Sequence, residues 1–218
     1  MQMRATAAKL LLRVFLLLFV SFSSDSPVLA TDLPAFLEPE GSYVNANFPM
    51  EFPRRIGQFQ RDKVVLYDSS GKNFSVGYNA KTPQLEIAAT VYLYPSTQAD
   101  ALPYDPDRHF EELKSEFQSY HPDAQLALEA SASFGHGDHT IRGRIAIFAL
   151  RQSFFGTDPQ LVWSQLYLFP YGRWFLKFRI SYPDAKREKV DEEVKNFMDL
   201  LHLPIGGAEE VKGGHNVP

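Results

Sequence analysis

Residues 173–182 read Arg-Trp-Phe-Leu-Lys-Phe-Arg-Ile-Ser-Tyr, with Trp174, Leu176, Phe178 and Ile180 alternating with Phe175, Lys177, Arg179 and Ser181. A side-chain period of two marks a β-strand, here with one wholly apolar face and one mixed face. Tyr171 and Gly172 form the turn into it, so the apolar run over 161–169 is a strand antiparallel to it. A third run, over 140–150, comes before these. After the strand the period changes: from near Asp184, Val190, Val194, Phe197, Met198 and Leu201 recur at helical spacing. Lys186, Arg187, Glu192, Glu193 and Lys195 occupy most of the remaining surface of that helix. An amphipathic helix must bury its apolar face. Trp174, Leu176, Phe178 and Ile180 are therefore expected to point into a core against Val194, Phe197 and Leu201.

Toward the N-terminus, the Gly-rich segment 135–138 separates the 140–150 strand from a short run over 125–132. There Leu126, Leu128 and Ala130 lean toward strand. Asp105 and Pro106 open a helix as N-cap and first helical residue, and Phe110, Leu113, Phe117 and Tyr120 give it an apolar stripe. His121 and Pro122 close it. Further back, strands over 63–67 and 73–78 flank a polar turn ending in Gly71, the pattern of a hairpin. In the strand over 87–94 both faces suit burial, which places it centrally in a sheet.

These elements predict one α+β domain over 48–204, an antiparallel sheet of six or seven strands with helices packed on it. Phe48, Phe52, Ile56 and Phe59 tack an extended lead-in onto that domain, and 31–47, punctuated by Pro34, Pro39 and Gly41, reads as an irregular arm. Pro204, Gly206 and Gly207 end the last helix, and the polar tail 205–218 reads as disordered.

Residues 1–30 carry Arg4, Lys9 and Arg13, then an apolar run over 14–20, then a polar stretch ending in Val28, Leu29 and Ala30. That order is the plan of a secretory signal peptide, with the cut expected after Ala30. Arg13 leaves the apolar run far short of the roughly 20 residues that span a bilayer, so no stable membrane anchor is expected. An exported, periplasmic or extracellular protein follows. Removing residues 1–30 changes the net charge from −4 to −6. Nucleic acid is thereby disfavoured as a partner, because phosphate contacts need a basic footprint. The chain has no cysteine, which excludes disulfides and thiolate chemistry. Its 18 Phe, 10 Tyr and 2 Trp must supply the core instead.

No phosphate-cradling loop, nucleophile elbow or dinucleotide fingerprint occurs, so no catalytic residue and no cofactor is assigned. His136 and His139, with Asp138 between them, suit a transition metal only if a distant ligand joins them, and as solvated turn residues they need none. Phe154 and Phe155 either fold back on the core or present a contact to a partner. One cluster suggests binding. Because Ile141, Gly143, Ile145 and Ile147 take one side of their strand, Arg142 and Arg144 take the other, and the same parity separates Lys177 and Arg179 from the apolar face. In a meander these four cations share one sheet face, where a carboxylate, phosphate or acidic partner could be received. Against this stands simple pairing with Glu111, Glu112 or Glu116 of the 105–119 helix, the usual fate of surface charges.

The phrase from Gly172 to Arg179, followed by Ser181, Tyr182, Pro183 and a closing amphipathic helix, resembles the PsbP-like fold. Phe52, Pro53, Ile56, Gly57 and Phe59, with the strand Val76, Gly77 and Tyr78, also resemble exported bacterial proteins of unknown function. The resemblance covers roughly residues 48 to 203. It implies an antiparallel sheet between helices and a non-catalytic accessory or binding role; together with the cation cluster, a protein or small anionic ligand is the expected partner. It carries no catalytic residues over. A hydrolase or lyase with an unrecognised site, or a metal-binding protein using His136 and His139, is the alternative.

Overall fold

The computed structural model describes residues 33–96, 105–135 and 137–203. The segment expected to be a signal peptide, the tail and His136 lie outside these residues, and the metal reading of the His136 and His139 loop lies outside them too. A large antiparallel sheet organises the chain. Its strands are β1 (Ala35–Leu37), β4 (Arg55–Ile56), β5 (Phe59–Leu66), β6 (Phe74–Lys81), β7 (Glu86–Pro95), β8 (Gln125–Phe134), β9 (Ile141–Gln152), β10 (Gln160–Tyr171) and β11 (Trp174–Pro183). In space they run β1-β5-β6-β7-β11-β10-β9-β8, with β4 paired to β5. The seven long strands are those expected from the sequence. The short β1 and β4 extend the count, and β2 (Tyr43–Asn45) and β3 (Phe48–Phe52) form a separate hairpin.

Helix α1 (Pro106–Tyr120) lies on one face and α2 (Val190–Asp199) on the other. Against the α2 face, Trp174, Leu176, Phe178 and Ile180 share one buried cluster with Val194, Phe197 and Leu201. The hairpin adds Phe48, Met50 and Phe52 to that cluster, with the Phe48 ring 5.2 Å from Trp174. The segment expected to be irregular thus holds two short strands. One reason is Arg61, which is buried and donates to the carbonyls of Phe52 (2.8 Å), Pro39 and Gly41 (2.7 Å). A guanidinium can satisfy several buried backbone acceptors at once. It ties the lead-in to β5.

The closing helix differs at its start. Residues Asp184–Lys189 form a 3-10 turn with no buried side chain, and α-helix begins only at Val190. Asp184, where the helix was expected to begin, accepts from the Trp163 indole at 2.6 Å. With Asp184 so engaged and no apolar anchor before Val190, this stretch has nothing to enforce an α-helical register.

The opposite cluster sits under α1: Phe110, Leu113 and Phe117 pack on Phe148, Leu166, Leu168 and Phe175. Asp105 caps α1 by accepting from the Asp107 amide at 3.0 Å. Phe154 folds back and is buried, while Lys81 stands 5.2 Å over the Phe155 ring. No helix among the described residues is long and apolar enough to cross a membrane.

Candidate functional site, a cleft beside the first helix

Register places the sequence-predicted cations on one face. Ser131, Arg144, Leu168, Lys177, Tyr92, Ser75, Val65 and Phe36 form a single cross-strand row from β8 to β1. Paired residues of antiparallel strands share a face. By the same parity Arg142 and Arg179 lie on the α1 face as well. All four are there, as the alternation predicts, yet they do not converge.

Arg144 is taken up locally. It donates through Nη1 to Asp107 at 2.8 Å, pairs through Nη2 with Glu129, and stacks 5.0 Å from the Phe110 ring. Lys114 of α1 bonds the same Glu129. A carboxylate does claim this half of the cluster, but Asp107 and Glu129 supply it, in place of Glu111, Glu112 and Glu116. Arg142 is exposed near the start of β9. Buried Leu168 separates Arg144 from Lys177.

Lys177 and Arg179 face a cleft of about 440 Å³ between α1 and the sheet. It is lined by Tyr67, Asn73, Tyr92, Tyr94, His109, Leu113, Glu116, Phe117, Tyr120 and Leu166 besides the two cations. Neither forms an ion pair with a described carboxylate; each rests on aromatic rings instead. Lys177 Nζ is 4.2 Å from the centre of Tyr92 and 5.7 Å from Tyr94, and the Arg179 guanidinium is 4.4 Å from Phe117. Arg179 Nη2 also lies 3.2 Å from Nε2 of His121. Burial pushes the Lys177 ammonium down to about 8, opposed by the Glu116 carboxylate and assisted by Arg179. Desolvation likewise lowers Arg179. Ring contacts offset part of that cost, since each cation meets the electron-rich face of its ring.

The rest of the lining is aromatic and proton-retaining. Tyr94 hydroxyl and His109 Nε2 are hydrogen-bonded at 2.8 Å, and the imidazole lies 4.7 Å from Phe175. Burial lowers His109, so its imidazole is neutral at pH 7 despite Glu112 nearby. Burial raises both Tyr92 and Tyr94, and their hydroxyls keep their protons.

Sequence reasoning found Lys177 and Arg179, and named Glu116 among the carboxylates near them, but missed the tyrosines and His109. Tyr92 and Tyr94 were visible as the second face of their strand, and His109, Leu113, Glu116 and Tyr120 recur at helical spacing along one edge of the apolar stripe. What the sequence lacked was the pairing of β7 with β11, which sets Tyr92 beside Lys177.

No protein-family model matches this chain. No curated protein matches it either. Among solved structures it is similar to PA94 of Pseudomonas aeruginosa, a protein of unknown function, at 13% identity with a TM-score of 0.42. That match covers 68% of this chain and 98% of PA94.

Proposed function

We propose that this protein is an exported, non-enzymatic binding protein of the PsbP-like kind, whose cleft beside α1 takes a small anionic ligand. The observation that carries this reading is the pair Lys177 and Arg179, partly desolvated, set on aromatic rings and without a carboxylate partner among the described residues. Structural cations are commonly paired as Arg144 is. A site that holds two cations unpaired in a cleft of small-molecule size is a binding site by the same logic. Arg142 and Arg144 do not join it.

Calorimetric titration of the mature chain with small carboxylates and phosphates tests the reading. Binding that is lost in Lys177→Met and Arg179→Met supports it, and no binding of any anion overturns it. Export rests on residues 1–30. N-terminal sequencing should place the mature start at Thr31 in a soluble exported fraction, whereas a start at Met1 on membranes would overturn the signal peptide.

A second reading, a hydrolase or lyase, draws on the neutral His109 imidazole bonded to Tyr94. A neutral imidazole is a competent general base. It predicts turnover of an activated ester that disappears in His109→Gln.

A further inference from the structure

The anion-binding reading leaves the ligand's body undefined, and the walls of the same cleft define it. We infer that the ligand is an aromatic monocarboxylate, its carboxylate held by Lys177 and Arg179 and its ring laid against Tyr92, Tyr94 and Tyr67. This rests on the anion-binding reading and narrows it.

Charge is the first argument. Lys177 and Arg179 contribute two positive charges and Glu116, exposed at the rim, one negative charge, while His109 is neutral. The cleft therefore carries about one net positive charge, which a monoanion neutralises. A phosphate dianion overshoots it and confronts Glu116, and like charges at close range disfavour binding.

The second argument is where the tyrosine hydroxyls go. Tyr67 hydroxyl shares a hydrogen bond with Ser75 Oγ at 3.0 Å, and Tyr94 hydroxyl shares one with His109 Nε2. With their polar ends engaged inside the protein, these residues offer the ligand ring surface and little hydrogen bonding. Flat aromatic walls are covered best by another flat ring, through offset or edge contacts. Leu113, Phe117 and Leu166 continue the apolar lining. Acetate or inorganic phosphate would leave all of this wet.

Third, the cations themselves stand on those walls, Lys177 Nζ at 4.2 Å from the centre of the Tyr92 ring. A ligand whose carboxylate meets Lys177 must place its body beside Tyr92 and Tyr94. One molecule then satisfies charge and surface together, and the cleft's 440 Å³ accommodates it.

Calorimetry on the mature chain at pH 7 with benzoate, 4-hydroxybenzoate, acetate and inorganic phosphate decides the matter. Benzoate and 4-hydroxybenzoate are expected to bind at least tenfold more tightly than acetate or phosphate. Tyr92→Leu should erase most of that preference, while Lys177→Met should abolish binding of all four. Tyr67→Leu, at a position 40% exposed, serves in its place if Tyr92→Leu does not fold, and should narrow the preference severalfold. Equal affinity for all four anions would overturn the aromatic ligand and leave the anion site standing. No binding of any of them would overturn both.

Discussion

Lys177 joins two demands that usually exclude each other. Its strand position is dictated by the alternation of β11, yet its ammonium sits in a cleft that removes much of its water and lowers it to about 8. In the unfolded chain it titrates near 10.4. Below about 8 both states carry the charge, and the folded state bears the cost of burying it. Between about 8 and 10.4 the unfolded chain binds more protons, so raising pH through this window stabilises the fold as far as Lys177 is concerned. Ligand binding runs the other way. Anion affinity should fall steeply as pH rises through about 8, as Lys177 loses its charge. Titrations at pH 7 and 9 measure that loss, and proton uptake on binding near pH 8.5 should appear as a dependence of the heat on buffer ionisation. Phe178 offers a plainer test: fully buried among Phe134, Tyr167 and Phe169, its replacement by Ala should cost about 3–5 kcal/mol in urea unfolding. Arg61→Met leaves the three carbonyls it serves without their donor. The loss should be about 2–4 kcal/mol, on the scale of charge-assisted hydrogen bonds to backbone carbonyls, of which the Phe52 acceptor is the buried one.

Elements show where reading from residues alone succeeds. The strands over 140–150, 161–169 and 173–182 and the α1 stripe were legible because each is long enough for its period to repeat. Parity along β9 and β11 even assigned Arg142, Arg144, Lys177 and Arg179 to one face. Strands β1, β2 and β4 have two or three residues each, too few for any alternation to register, and they exist through pairing and through Arg61. The late start of α2 was hidden because it depends on Trp163 drawing Asp184 away, a contact between residues 21 apart. The cleft was half legible for the same reason: which cations stay unpaired depends on Asp107 and Glu129 reaching Arg144 first. Two substitutions test the elements. Asp105→Ala removes the α1 cap and should cost about 1 kcal/mol, and a thermal melt reads it. Gly143→Ala puts a Cβ 2.1 Å from the Leu168 carbonyl oxygen, backbone that cannot give way. The β9–β10 ladder should open there, visible as lost amide protection in hydrogen exchange.

At the scale of the molecule, helices α1 and α2 sit on opposite faces of one sheet, and β11 is common ground to both. Leu176 and Phe178 belong to the larger cluster, Phe175 to the smaller one, and Lys177 and Arg179 to the cleft. Neither cluster can come apart without disturbing the other's wall, so unfolding should be a single transition, with fluorescence and far-ultraviolet circular dichroism giving coincident curves. The same strand makes the cleft a reporter on the whole. A ligand that binds only the folded state adds RT ln(1 + [L]/Kd) to its stability, about 2.7 kcal/mol at a hundredfold excess over Kd. Because neither cluster can melt while the cleft survives, that increment should move the one midpoint intact, and the melting temperature becomes a direct assay for aromatic carboxylates that enter the cleft.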